Sequence, residues 1–424
     1  MAPIPKLALI PSGYKAGKIY SVLPTSGVGD FDFTRPGSAT RINSSGLIET
    51  VATGVPRLNY PLIDGVVNGC PSYLLEPQSI NRIPDSEALS TWGQTNVTTV
   101  DNSAISPDGT LSASKITNNP TSGSHRLIEL ATTVNSSGEA TYSVFLKKGT
   151  MTTCFVNLFS GSTISNADVD LVNGTIKGGV GTNHKIEKYP NDWFKVSITG
   201  TLASTSTFVY IYLKQLSGYV ANNEFLYAWG GQLEENDYPT SYIPNYGSAA
   251  GATRSAETAN GAGNSQIFND SEGVLFAEIS ALDKNTTKKI TLNNGSNSQV
   301  LVLEYTSTVN QIRVFLSNGS LQFNEYVTLS DVTNNNKISI KYKVNDFSLF
   351  INGFELAKDL IGTTFAEGTL TNLNFDDGAG NADFYGNTKQ IQYYDSALTD
   401  SELETLTSWV SFQDMATSQL YTIE

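Results

Sequence analysis

The segment KISIKYKVNDFSLFINGFEL (337–356) constrains the fold more than any other stretch of the chain. Ile338, Ile340 and Tyr342 alternate with Lys337, Ser339, Lys341 and Lys343, the period of two that sets one strand face in a core and the other in water. Val344-Asn345-Asp346 supplies a turn. Phe347, Leu349 and Ile351 make a return strand, closed by Asn352-Gly353, a dipeptide that tolerates the positive φ of tight hairpins. The same pattern recurs in ATYSVFLKKG (140–149), CFVNLF (154–159), WFKVSITGTL (193–202) and TFVYIYLKQL (207–216), with turns at Asp108-Gly109 and Asn173-Gly174. In the last of these segments Phe208, Tyr210 and Tyr212 face one way and Val209, Ile211 and Leu213 the other, so both faces are expected to be covered. Composition agrees. Charged residues are 16%, below the roughly 25% of average globular proteins, and Gly (36), Tyr (20) and Phe (19) are plentiful. One short helix is expected where Thr399-Asp400-Ser401-Glu402 forms a capping box ahead of Leu403 and Leu406. The expected class is mainly β: tandem β-sandwich (jelly-roll) domains after an extended Pro/Gly-rich N-terminal segment.

Five regions follow. Residues 1–83 are interrupted by proline, ten of the chain's 15 lying at or before Pro84, and cannot easily build a sheet of their own. They carry Phe31, Phe33, Tyr60, Tyr73, Leu74 and Leu75, so they are expected to run extended over another surface, such as a neighbouring subunit. Residues 84–245 read as a jelly roll, 246–264 (rich in Ala, Gly, Ser and Thr) as a linker, 265–412 as a second sandwich, and 413–424 as a tail.

Several functions are disfavoured. A net charge of -14 argues against a nucleic-acid footprint. No run approaches the ~18 apolar residues of a membrane span, and no signal peptide is visible at the N-terminus. Cys70 and Cys154 fall in different regions, so a disulfide is not indicated. The only histidines, His125 and His184, are not next to a nucleophile motif such as G-x-S-x-G. Glu234-Glu235 is a conspicuous acidic pair, but pairs are inevitable among 40 acidic residues. The chain is expected not to be an enzyme; a glycan-degrading appendage enzyme is the alternative.

Two segments bear a resemblance to phage proteins. FTRPGSATRINSSGLIETVATGVPRLNYP (33–61) with CPSYLLEPQSINRI (70–83) resembles an N-terminal module of phage structural and tail-fibre-like proteins. Thr34-Arg35, Ala39-Thr40-Arg41, Pro56-Arg57-Leu58 and Leu74-Leu75-Glu76-Pro77-Gln78 stand in order. YAWGGQLEENDYPTSYIPNYGSAAGATRSAE (227–257) resembles the closing strand and exit of a carbohydrate-binding-module-like jelly roll in the same proteins. IQYYDSALTDSELETLTS (391–408) resembles the end of a concanavalin A-like or laminin-G-like sandwich. The resemblance implies a virion protein, a head or tail fibre or capsid decoration made in the host cytoplasm. It implies other virion proteins as partners, a homo-oligomer (a trimer by analogy) and attachment to host or mucosal surface glycans. It also implies that Phe33, Arg35, Arg41, Arg57, Tyr60 and Glu76 serve virion or oligomer attachment.

Two kinds of site are candidates. Trp92, Trp193 and Trp229 could stack on the apolar faces of sugar rings, although large aromatics also fill sandwich cores. Asp376, Asp377, Asn381 and Asp383, in NFDDGAGNADF (374–384), offer hard oxygen ligands for Ca²⁺, although Asp-Gly turns also arise for backbone reasons. No other cofactor is expected.

Overall fold

The alternation becomes two antiparallel sandwiches in the computed structural model, which describes residues 3–214, 221–410 and Asp414. In the first, one six-stranded sheet runs in the order Gly93–Thr95, His125–Ala131, Thr207–Lys214, Thr153–Ser160, Thr163–Asp170, Thr175–Ile176. Facing it, the other runs Val97–Ile105, Leu111–Asn118, Phe225–Glu234, Glu139–Lys148, Trp193–Thr201, Thr182–Tyr189. Leu127, Tyr142, Val144, Val156, Leu158, Ile198, Val209 and Ile211 fill the space between them. Gly230-Gly231 is required in the third strand of this second sheet. Gly230 has φ 67°, and a Cβ on Gly231 would lie 2.8 Å from the Trp92 ring.

The second sandwich packs a five-stranded sheet on an eight-stranded one. The five-stranded sheet runs Leu321–Thr328, Gln311–Asn318, Gln299–Tyr305, Lys288–Asn293, Asn372–Asn374. The larger sheet holds the hairpin that opened the sequence argument: Asn336–Lys343 pairs Phe347–Ile351, with Asn345 and Asn352 at φ 56° and 52°. The expected solvated face of that hairpin is covered instead. The predicted helix, Asp400–Thr407, forms with the Thr399–Glu402 capping box intact and lies over it. Ser339 and Lys341 are buried there, and Lys341 Nζ pairs with Asp400 at 3.0 Å and Asp346 at 2.8 Å. The tail expected over 413–424 lies, apart from Asp414, outside the described residues.

The N-terminal segment corrects the expected domain plan, because the surface it needs belongs to its own chain. Leu7–Leu9 and Ser72–Leu75 both pair with Gly386–Tyr394, end to end along one edge (Leu7 opposite Tyr393, Leu75 opposite Gly386). Short edge strands between prolines are what such a sequence can supply. Leu7, Leu9, Phe31, Phe33, Tyr73 and Leu75 enter the core of the second sandwich. On its other side the segment packs Ile42, Ile48 and Leu62 against Phe145, Tyr189, Trp193, Trp229 and Tyr242 of the jelly roll. The stretch 246–264 is likewise not a linker. Ala252–Arg254 pairs with Ser79–Asn81, and Thr258–Asn260 pairs with Phe31–Thr34.

A buried ionic cluster ties these pieces together. Arg57 donates from Nε to Glu257 Oε1 at 2.9 Å and from Nη1 to Glu76 Oε2 at 2.7 Å, and its Nη2 also bonds Glu257. Arg35 reaches Glu257 at 2.7 Å and Arg254 reaches Glu76 at 3.0 Å. All five side chains are almost wholly buried. Burial alone would raise the Glu76 carboxyl, but the Arg254 and Arg57 charges and the Ser241 hydrogen bonds outweigh it and hold it at about 2.

Candidate functional site

Of the residues expected at an attachment surface, Phe33, Arg35, Arg57 and Glu76 are buried, and Arg41 and Tyr60 are half-buried. Arg35, Arg57 and Glu76 are spent in the ionic cluster and Phe33 in the core. Arg41 pairs with Glu49 at 2.9 Å. The three tryptophans are also corrected. Trp92, Trp193 and Trp229 are 2%, 0% and 1% exposed. Their indole N–H groups donate to Asp85 O, Ile105 O and Ser112 Oγ at 2.8, 3.0 and 3.0 Å. Trp193 and Trp229 lie beneath the N-terminal segment, so no ring face is left for a sugar.

The calcium reading fails on the loop's own hydrogen bonds. Asp376 Oδ1 accepts from Gly378 N at 2.7 Å and its Oδ2 from Asn260 Nδ2 at 2.9 Å. Asp377 Oδ1 accepts from Ala379 N and Asn381 N, and Asp383 from Tyr385. Among the described residues no group of three or more His, Cys, Asp or Glu side chains could hold a metal ion.

The acid–base candidates are structural too. Glu234 is buried and accepts from Ser79, Gln232 and Thr240, while Glu235 pairs with Arg82 at 2.9 Å. His125 is fully buried with Nδ1 2.8 Å from Asn96 O. His184 Nε2 lies 3.2 Å from Ser165 Oγ but also 3.0 Å from Val180 O. Ser165 Oγ itself donates to Val180 O at 3.1 Å, which gives its proton a backbone acceptor. A cavity of ≈700 Å³ opens between the two sandwiches and the N-terminal segment, and several of its charged side chains already have partners. Lys185 pairs with Glu187, Lys284 with Asp331, and Lys195 donates to Thr240 O.

What remains is the outer face of the sheet carrying Thr207–Lys214. Val209, Ile211 and Leu213 point into the core, which turns Phe208, Tyr210 and Tyr212 outward. The register brings neighbouring strands into rows. Arg126, Tyr212, Phe155 and Asp168 form one, and Ile128, Tyr210, Asn157 and Asn166 the next. Leu130, Phe208 and Phe159 form a third. Tyr210 and Tyr212 stack at 5.4 Å and 19°. Phe155 meets Tyr212 edge-on at 5.7 Å, and Phe159 lies 6.4 Å from both Phe208 and Tyr210. The Arg126 guanidinium sits 5.3 Å and 5.6 Å from the two tyrosine rings and donates to Tyr212 Oη at 2.9 Å. The tyrosines form the floor and are buried, 8% and 6% exposed, so at these two rings both faces of the strand are covered as the sequence implies. Phe155, Phe159 and Phe208 are half-buried around them, and exposed Leu130, Thr163 and Asp168 mark the border with solvent. Burial, with Tyr212 adding to it, pushes the Tyr210 hydroxyl up against the opposing pull of Arg126.

Among the described residues, the buried Asn157 Oδ1 and Arg126 Nε on this face have no hydrogen-bond partner. A ligand whose apolar face lies on the half-buried phenylalanine rings would reach this acceptor and this charged donor once the side chains over them shift. The signal was present in the sequence, as alternating rings in 155–159 and 208–212, but periodicity does not show which of two apolar faces carries a second sheet.

No protein-family model matches the chain, and no curated protein matches it. Among solved structures it is similar to the CBM40 module of the Ruminococcus gnavus IT-sialidase, solved with α2,3-sialyllactose. That likeness has 17% identity and TM-score 0.30, and covers 35% of this chain and 93% of that one. Domain 4 of AbnA, a GH43 arabinanase from Geobacillus stearothermophilus solved with arabinotriose, is 12% identical with TM-score 0.30, over 36% and 73%. Mouse laminin α1 domains LG4-5 are 9% identical with TM-score 0.24, over 66% and 90%. Likenesses this distant assign neither a ligand nor an activity.

Proposed function

We propose that the chain is a non-catalytic glycan-binding protein, and that its contact surface is the outer jelly-roll face built on Phe155, Phe159, Phe208, Tyr210 and Tyr212. The observation that carries this is the unpartnered pair, Asn157 Oδ1 and Arg126 Nε, buried within a cluster of stacked and edge-on rings. Sugar rings present C–H faces that pack on aromatics, and hydroxyls that need directed partners. The reading includes display on the surface of a phage particle as a homo-oligomer, a trimer by analogy with fibres, beside other virion proteins. Its support is the resemblance of 33–83 and 227–257 to phage structural proteins. Weak single-site binding would then be amplified by copy number. Proteomics and cryo-electron microscopy of purified particles test the location, and absence of the chain from them would sink that part. A glycan array probed with the purified protein tests the binding. Release of reducing ends from a bound glycan would instead favour the depolymerase alternative.

A further inference from the structure

We propose a second, separate site for neutral glycans on the outer face of the five-stranded sheet of the C-terminal sandwich. Leu301, Leu303, Val314 and Leu316 point into the core, so Val302, Glu304, Arg313 and Phe315 point outward. The register sets Glu304 opposite Arg313 and Arg313 opposite Tyr326, with Val302, Phe315 and Asn324 in the adjoining row. The Arg313 guanidinium lies 4.2 Å from the Phe315 ring and 5.2 Å from Tyr326, and its Nε donates to Asn324 Oδ1 at 2.7 Å. That arrangement holds the guanidinium flat and in place. Tyr326 is 53% exposed, while Glu304 is only 9% exposed and its Oε2 has no hydrogen-bond partner among the described residues. The nearest guanidinium nitrogen, Arg313 Nη1, is 3.8 Å away, beyond hydrogen-bonding distance.

A buried carboxylate oxygen without a donor, beside a fixed guanidinium and an exposed ring, fits a polyhydroxylated ring. A hydroxyl donates to Glu304, Arg313 donates to a ring or hydroxyl oxygen, and the C–H face lies on Tyr326. The ligand is neutral because Glu304 offsets Arg313 and would repel a carboxylated sugar. These residues are distinct from the jelly-roll face, so the two sites stand or fall separately. A chain with both would hold one polysaccharide at two points.

The test uses the full chain on immobilised mannan, starch, xylan and galactan, with melting curves to show that each variant folds. We expect wild type to bind at least one polymer. We expect Phe159→Ala/Phe208→Ala to keep residual binding, and Arg313→Ala/Tyr326→Ala added to it to abolish that residue. In the wild-type background, Arg313→Ala/Tyr326→Ala should lower apparent affinity by ~100-fold through lost avidity. Glu304→Gln should weaken the residual binding of Phe159→Ala/Phe208→Ala without lowering its melting temperature. Loss confined to Arg313→Ala/Tyr326→Ala would support this site and overturn the jelly-roll reading. Complete loss in Phe159→Ala/Phe208→Ala alone would overturn this site and leave that reading standing. A wild-type chain that holds none of the four polymers overturns the proposal.

Discussion

Replacing Glu257 by Gln tests how the N-terminal segment is held. The Glu257 carboxylate accepts from Arg35 Nη1, from Arg57 Nε and Nη2, and from Glu76 N at 3.0 Å. Glutamine keeps the volume but removes the charge, and its amide nitrogen offers hydrogens where guanidinium hydrogens already point. Arg35 would then lose its carboxylate partner, and Glu76 would be left to pair Arg57 and Arg254, all of them buried. Unpairing a buried ionic group costs about 3–5 kcal/mol. The loss should be local before it is global, because this cluster joins 35–76 to 254–257 while each sandwich keeps its own core. The assay is hydrogen exchange with denaturant melts. Amides of Leu7–Leu9 and Ser72–Leu75 should lose protection by about this energy, while Val209–Leu213 keeps its own. Lys18→Ala, which removes the exposed Lys18–Asp32 pair at 2.7 Å, is the control and should change stability by under ~1 kcal/mol. Equal effects of the two substitutions would refute the argument that the cluster locks the segment.

Four further outcomes follow from the same structure. Glu76 has a folded-state carboxyl lowered from 4.5 to about 2, so its contribution, about 3 kcal/mol, is present above pH 4.5 and lost as pH falls toward 2. Glu129 is raised to about 7 by burial and then by Asp85, so its carboxylate destabilises the fold as pH rises from 4.5 to 7; Glu129→Gln should flatten that limb of a stability–pH curve. Trp229→Ala, which removes a ring 4.5 Å from Tyr242 and 5.4 Å from Phe145, should cost about 3–5 kcal/mol in thermal or chemical melts. Below its melting temperature the variant should bind glycan as wild type does. Excess Ca²⁺ or a chelator should leave the melting temperature unchanged, since the Asp376 and Asp377 carboxylates already accept backbone N–H groups; a calcium-dependent rise would show that the loop rearranges around an ion.

The elements legible in the sequence are those whose signal is local. The 337–356 hairpin and the Thr399 capping box depend on residues a few positions apart, and both form. The burial of Ser339 and Lys341 was not legible, because the helix that covers them lies some 60 residues on and an alternating lysine reads as solvated. The N-terminal segment showed that it needs a partner surface, but Leu7 pairs with Tyr393, and nothing near either residue names the other. Arg57, Glu76, Arg254 and Glu257 all stood within the phage-like motifs. An arginine–glutamate set spread over 200 positions shows no mutual contact until the chain is folded. The tryptophans drew attention by size, whereas the outer face is made of half-buried phenylalanines around buried tyrosines. The rings of 208–212 were visible as one face of a strand, and it took the sheet order to show that the opposite face was the one packed inward.

The most direct test of glycan recognition by the jelly roll is titration calorimetry of the best glycan from the array against wild type, Phe159→Ala/Phe208→Ala and Asn157→Ala. The rings are half-buried and outside the core, so these variants should fold. The ring variant should lose ~2 kcal/mol, about 30-fold in Kd, and Asn157→Ala should bind clearly more weakly. Unchanged affinity in both variants, with the fold intact, would contradict glycan recognition by the jelly roll.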